Sequence, residues 1–526
     1  MSISTLLQLH NSTTQLPFEL FAEGDDFHFG KIDVSASEIS LIPYTWDVKF
    51  SIDSSQSMEE SCKDGKTKMQ HIKYTITQIL RAFANYSSTS AIRFNVCVHS
   101  FDNDDDEIFD FTEITQENVN TYIEKINTIE PNSCTNLLNP ITVTNDQMDA
   151  RRILHPTNKQ LHIMLTDGQD TSNNSREKIT SEVNSAYDFV IIGFGLEHDV
   201  KTLTMISSIP RCDYAFVDIL ERAGMVYGEC LHHILYRVAE NITIQLENAT
   251  IYNWKTNTWE EKLELDGISS GLTKTYYVRT TTPDIIAGSI SGSLCSLNQE
   301  SPTTELATIE KLPDLVNEET DSIIEVNLIK DMFRFHTMEL LYQAKQCESD
   351  RSNSFAQMLD DMESEEDDTA PLHTHNKIST MRTTLRAFFN IIKTYMRENE
   401  VMEDAFLKNL LDDLYIVYKT LGTTHSNVYS TARQRSQGRQ NVCTATQIDD
   451  IDLQLQVPST PIPPRILFPL RLQRSKTISR RFDDDINDHF EDDFEDEFID
   501  HSITQNTQDT YASPSVTKLM REVSGY

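Results

Sequence analysis

Between Tyr44 and Glu240 two hydrophobic periods take turns along the chain, and that alternation restricts the fold more than any other feature. Trp46, Val48, Phe50 and Ile52 alternate at period two, the signature of a strand. Met69, Ile72, Ile76, Ile79, Leu80 and Phe83 then recur at helical spacing after Gly65. Ile92, Phe94, Val96 and Val98 alternate again, and Val119, Tyr122, Ile123 and Ile126 form a second helical face. Leu161–Leu165 and Phe189–Phe194 are unbroken apolar runs, as expected of strands covered on both faces. Ala215–Val217 is a short last strand, followed by a helix using Leu231, Ile234, Leu235 and Val238. Strands alternating with helices predict an α/β fold, a doubly wound and mostly parallel sheet. One detail pulls against this. Asp47, Lys49 and Ser51 interleave with the apolar residues of the first strand, which by pattern reads as half-exposed. Either one face is left uncovered, or Lys49 packs its stem beneath a helix and pairs with Asp47.

Ligand sites of open α/β sheets lie at the carboxyl ends of the strands. There the first strand stops in Asp53-Ser54-Ser55-Gln56-Ser57, and the run Gln160–Leu165 stops in Thr166-Asp167-Gly168. Between them Pro131–Asn136 carries Thr135 ahead of a helix-like segment. Carboxylate and hydroxyl oxygens are hard donors that suit Mg²⁺ or Mn²⁺ rather than zinc or copper. These three elements, in this order and spacing, resemble the metal-ion-dependent adhesion site (MIDAS) of von Willebrand factor type A domains. Phe189–Gly195 is similar to the next strand of that family, and the resemblance covers about residues 44–240. It implies that Ser55, Ser57 and Thr135 give hydroxyl oxygens to Mg²⁺ (or Mn²⁺). Asp53 and Asp167 would supply charge, directly or through water. It also implies a protein–protein interaction module, not an enzyme, whose ion bridges to an acidic side chain of a partner protein. Many members carry small residues, often glycine, before the threonine; Ser133-Cys134 departs from that and bears on affinity.

The charge balance narrows the partners. With 82 acidic against 45 basic residues the net charge is −37, which disfavours nucleic acid and anionic membranes and favours divalent cations and basic protein surfaces. No apolar run approaches the roughly 20 residues that span a bilayer. The eight cysteines are scattered singly, without C-x-x-C, so zinc ribbons, RING-type modules and redox dithiols are not expected. With no signal-peptide pattern at the amino terminus, the expected location is cytoplasmic and intracellular.

Outside this region the pattern is coarser. Residues 1–43 read as a lead-in or edge segment, and 241–300 as a small antiparallel β-sandwich with turns at Asp266-Gly267 and Ser270-Gly271. Residues 301–422 read as a helical region interrupted by an acidic linker at 360–369. After Gly422 the hydrophobic periodicity fades, and 423–526 is expected to be a disordered tail with an acidic run at 483–500. Intracellular members of the family share such an arrangement. The basic stretch Arg471–Arg481 suits a nuclear signal, a phosphorylation site or a complement to the acidic run.

Two rival functions follow from other residues. Phe490, Phe494 and Phe498 fall four apart within the acidic run. They would serve a scaffold or adaptor with a degenerate metal site that binds a basic partner through its tail. An Mg²⁺-dependent phosphate-transferring enzyme would use Asp53 as nucleophile, but such families want a carboxylate two residues on, where this chain has Ser55. The acidic loop Asp102–Asp106 reads as a solvated loop and a secondary cation candidate. His162 reads as a core histidine, and His232, His233, His373 and His375 lack a convincing ligand partner.

Overall fold

Two strands, β1 (Ile3–Leu9) and β2 (His28–Ala36), precede the region of alternating periods. The computed structural model describes residues 2–442, apart from 13, 22–25, 38–41, 63–64, 173, 196–197, 218–222, 296–301, 312–315, 318–321, 324, 361–369, 424 and 439–440. From the expected acidic linker onward, 361–369 and the tail beyond 442, with its basic stretch and three phenylalanines, lie outside the described residues.

The alternating region builds β3 (Thr45–Asp53), α1 (Lys68–Thr89), β4 (Arg93–Phe101), β5 (Asp105–Glu113), α2 (Val119–Asn127), α3 (Leu138–Leu154), β6 (Lys159–Thr166), α4 (Arg176–Ser181), β7 (Asp188–Phe194), α5 (Val200–Ile206), β8 (Cys212–Val217) and α6 (Ala223–Leu235). The sheet runs β5-β4-β3-β6-β7-β8. All neighbours are parallel except β5, which returns antiparallel to β4 at the edge. β5 takes up part of the expected acidic loop. Asp105 and Asp106 open that strand, and Asp105 pairs with the buried His99. An edge strand rich in carboxylates resists pairing with other chains, which accounts for the charge there.

Strand β3 is buried from Trp46 to Asp53, so the half-exposed reading does not hold. Its apolar face packs Trp46, Val48, Phe50 and Ile52 against Met69, Ile72, Ile76 and Leu80 of α1. The other face lies under α3, where the alternating polar residues find partners instead of water. Lys49 Nζ donates to Gln147 Oε1 at 2.8 Å, and Ser51 Oγ meets His162 Nε2 at 2.9 Å. Asp47 accepts from Arg151 Nη2 at 2.6 Å, from Asn95 at 2.9 Å and from Asn158 at 3.0 Å. Lys49 and Asp47 are thus both buried but paired with α3 rather than with each other. Burial lowers the Lys49 pKa, opposed by nearby Asp105. His162 is fully buried, and burial holds it well below the ordinary histidine range.

Next come β9 (Arg237–Glu247), β10 (Thr250–Asn253), β11 (Thr258–Glu260), β12 (Lys262–Ser269), β13 (Thr273–Thr280), β14 (Ala287–Leu294) and β15 (Thr304–Glu310). They form two antiparallel sheets, β12-β9-β14-β15 and β1-β2-β13-β10-β11. The lead-in is therefore part of this β-region. β2 pairs with β13 over His28–Ser35, and Ile32, Val34 and Ala36 point into the same core as Ile244, Ile251 and Val278.

Four helices follow, α7 (Ile329–Asp360), α8 (Ala370–Glu398), α9 (Ala405–Thr420) and α10 (Ser426–Gly438), and Asn441–Val442 after them pairs with β13. α10 lies where the tail was expected to begin, packed against α7 and α9. Its buried residues are mainly Ser426, Ser430, Thr431, Gln434 and Gln437, so a polar seam replaces the apolar stripe that would have marked it. Gln437 donates to Asp413 Oδ2 at 2.7 Å and accepts from Arg334 Nε at 3.0 Å. Among the described residues no helix is long and apolar enough to cross a membrane.

Candidate metal centre

The carboxyl ends of β3, β4 and β6 lie side by side in the parallel sheet, so the loops leaving them share one rim. Backbone bonds fasten those loops together before any side chain is considered. Ser54 N donates to Phe101 O at 2.7 Å, Asn132 N to Ser54 O at 2.6 Å, and Gln56 N to Ser133 O at 3.1 Å. The loop after β6 joins through Thr171 N to Thr135 O at 2.8 Å, and Thr171 Oγ1 accepts from Thr135 N at 3.0 Å. Met58, fully buried, pins the single 3₁₀ turn Gln56–Glu59 that carries Ser57.

On this frame the five residues singled out in the sequence converge. Ser57 Oγ donates to Asp167 Oδ1 at 2.7 Å, and Ser55 Oγ lies 3.0 Å from Ser57 Oγ. Asp53 accepts from Ser55 N at 2.9 Å and from Thr166 Oγ1 at 2.6 Å. Thr135 approaches from the middle loop. A β-carbon at Gly168 would stand 2.7 Å from its Oγ1, so only glycine lets the third loop come this close. Asp53, Ser55, Thr135 and Asp167 are all buried. Burial first, and then the Asp167 charge, raise the Asp53 pKa to about 6, against the opposing hydrogen bonds from Ser55 and Thr166.

Several contributors were not singled out in the sequence. Asp170 receives Leu137 N at 2.9 Å through Oδ2 and Ser172 Oγ at 2.6 Å through Oδ1, tying the start of α3 to the β6 loop. Lys68 opens α1, and its Nζ reaches Asp167 Oδ2 at 2.7 Å and Glu60 Oε2 at 2.5 Å. Thr67, Lys68, Met69 and Gln70 hold the one sequence signal that bears on Lys68. Thr67 and Gln70 form a reciprocal capping box that fixes where the helix begins. Burial alone would lower the Lys68 pKa, but the hydrogen bonds to Asp167 and Glu60 carry it above its ordinary value.

The donor set fits a hard divalent cation. The Ser55 hydroxyl meets that of Ser57, which donates to the Asp167 carboxylate, and the Thr135 hydroxyl lies against Gly168. Asp53 is held by Ser55 N and Thr166, and a cationic group, the Lys68 ammonium, already rests on Asp167. Among the described residues no group of three or more His, Cys, Asp or Glu is placed to hold an ion, which leaves Asp102–Asp106 without cation-site geometry.

Behind the rim, His198 packs under Gly193, accepts or donates through Nε2 to Tyr214 OH at 2.6 Å, and meets Gly195 O through Nδ1 at 2.8 Å. Burial lowers its pKa to about 4, against the raising effect of the Gly195 carbonyl. In the unfolded chain it titrates near 6.5, so the folded state disfavours its proton. Stability is therefore lost as pH falls from about 6.5 and the loss is complete below about 4, by up to about 3 kcal/mol. The expected midpoint of the His198 ring in an NMR titration is near 4; an ordinary midpoint near 6.5 would contradict this burial.

Residues 47–222 match the von Willebrand factor type A domain family. No curated protein matches the chain in sequence. Among solved structures, a von Willebrand factor type A protein from Catenulispora acidiphila is 12% identical, with 77% of this chain and 88% of that chain covered and a TM-score of 0.45. The ArnB paralog VWA2 from Sulfolobus acidocaldarius is 13% identical, with 84% and 99% covered and a TM-score of 0.44. Proximal thread matrix protein 1 from the mussel byssus, with a zinc-occupied MIDAS motif, is 17% identical, with 35% and 43% covered and a TM-score of 0.26. At such low identity none of the three speaks to a ligand or partner of this chain.

Proposed function

We propose that the von Willebrand factor type A domain at residues 47–222 is a metal-dependent protein-interaction module, with Mg²⁺ or Mn²⁺ held at the β3–β6 rim. The observation that carries this reading is the convergence of Ser55, Ser57, Thr135, Asp53 and Asp167 on loops stitched to one another by backbone hydrogen bonds. Ser55, Ser57 and Thr135 offer neutral oxygens. Asp167 keeps the Ser57 hydroxyl oriented, and Asp53, whose two oxygens are engaged by Ser55 N and Thr166 Oγ1, contributes charge from below. A bound ion would present a coordination position that an acidic side chain of a partner protein can enter.

The same geometry weighs against the phosphate-transfer alternative. A nucleophilic carboxylate needs a free oxygen in reach of substrate, whereas Asp53 is fully buried with both oxygens accepting hydrogen bonds. The tail-binding alternative falls on residues outside those described.

Calorimetry on the full chain, stripped of metal and titrated with Mg²⁺ and Mn²⁺, tests the reading. The expected result is saturable binding that is weakened about 10-fold or more by Thr135→Ala, with circular dichroism unchanged. Binding that Thr135→Ala leaves intact would place the ion elsewhere. No binding by the wild type at millimolar metal would remove the ion from the proposal.

A further inference from the structure

We propose that Lys68 is a built-in counterion of the metal centre, which a divalent ion must displace from Asp167 in order to bind. This rests on the reading of the β3–β6 rim as a metal site. Three observations lead to it. The Lys68 ammonium sits 2.7 Å from Asp167 Oδ2, while the other oxygen of that carboxylate is taken by Ser57 Oγ at 2.7 Å. Both Asp167 oxygens are thus engaged by the chain's own donors. Secondly, the Asp167 side chain has no exposure to solvent and Asp53 lies buried nearby, so a second charge of the same sign there requires a cation. Lys68, whose side chain is 13% exposed, is the cation in contact with it.

Thirdly, the ammonium has somewhere to go. Glu60 Oε2 stands 2.5 Å from the same Nζ, and Glu60 is 64% exposed. The lysine bridges a buried carboxylate on one side and a solvated one on the other. A cation arriving at Asp167 can drive Nζ off that oxygen while Glu60 retains it at the rim. The Cα of Lys68 need not move, because the capping box at Thr67 and Gln70 holds the start of α1 in place. Gly195, just after β7, does not crowd the ammonium: a β-carbon built there would stand in ordinary contact, 3.8 Å from Nζ.

The device has two consequences for binding. In the metal-free protein the carboxylates stay charge-compensated. Metal affinity is reduced by the fraction of time Lys68 spends on Asp167: an occupancy of nine parts in ten weakens it about tenfold.

The test uses the full chain with three sequences, wild type, Lys68→Gln and Lys68→Arg, each titrated with Mg²⁺ and with Mn²⁺. Lys68→Gln is expected to bind about tenfold more tightly than wild type, and Lys68→Arg, which keeps the charge, to remain within about threefold of it. In parallel, acylation of Lys68 by an amine-reactive ester, followed by mass spectrometry, is expected to accelerate at saturating Mg²⁺ as the ammonium leaves Asp167. Equal or weaker binding by Lys68→Gln, or acylation indifferent to metal that does bind, would overturn the counterion role and leave the metal site standing. No binding by either wild type or Lys68→Gln would overturn the metal reading, and this inference with it. Should Lys68→Gln be poorly folded, the acylation measurement on the wild type decides alone.

Discussion

Alanine at Asp167 is expected to abolish measurable Mg²⁺ and Mn²⁺ binding, with affinity falling at least about 100-fold. Loss of an outer-shell partner alone commonly costs 10- to 100-fold. Here one substitution removes a charge and also the acceptor that orients the Ser57 hydroxyl. The metal-free protein should nonetheless stay folded, because two opposed effects leave together. The Lys68 ion pair is lost, and so is the repulsion by which Asp167 helps to raise Asp53. Asp167→Asn keeps the shape and should retain part of the affinity. Calorimetry beside thermal unfolding separates the outcomes. A variant that keeps full affinity would show that Asp167 is a structural carboxylate only.

The second large effect lies at the opposite end of the sheet. Asp188 begins β7 and is almost completely buried, held by Arg237 Nη1 at 2.9 Å and by Arg211 Nη2 at 3.1 Å. Burial alone would raise its pKa, but the two guanidinium groups outweigh that and keep it below the ordinary value. Its contribution is therefore present at neutral pH and fades as pH falls through the depressed pKa. Asp188→Ala leaves the buried Arg237 with the looser Glu240 carboxylate at 3.9 Å in place of Asp188 at 2.9 Å, and its pKa is raised chiefly by Asp188 against its burial. The expected destabilisation is about 3–5 kcal/mol in chemical unfolding. The double variant Asp188→Leu with Arg237→Met should recover most of that loss, since a buried ion pair is worth little more than well-packed apolar residues. A single variant costing under about 1 kcal/mol would mean that the pair is better solvated than the structure shows.

How much of this could be read in advance depended on whether a residue's partner was apolar or polar. The apolar stripes of β3, α1, β6 and β7 announced the sheet, since each buries side chains against a neighbour of the same kind. Asp47, Lys49 and Ser51 misled because α3 covers them with Arg151 and Gln147 and the neighbouring β6 adds His162, a polar layer that periodicity cannot register. α10 was missed for the same reason, its seam being built from Ser430, Gln434 and Gln437. β2 was missed because its partner β13 lies some 240 positions on, and local pattern cannot name a distant neighbour. In the rim, the short motifs marked five residues that the fold brings together. Lys68 carried no such motif. Its place depends on where α1 starts relative to the loop after β6, which is a matter of three dimensions.

The pairing of β2 with β13 also orders events in time. A nascent chain that has produced the alternating region can close its parallel sheet from its own strands, between Thr45 and Val217. The neighbouring sandwich cannot follow at once. Its first two strands emerge before Thr45 and wait, with Ile32 and Val34 unburied, until Thr273–Thr280 has been made. Over that interval β2 can pair only with β1, and its other edge stays bare, the kind of edge that other chains can capture. A fragment that starts at Tyr44 would make that condition permanent from the other side, leaving β13 with a bare edge where β2 should lie. The amino-terminal segment is in that sense secured only by a strand some 240 positions further along the chain.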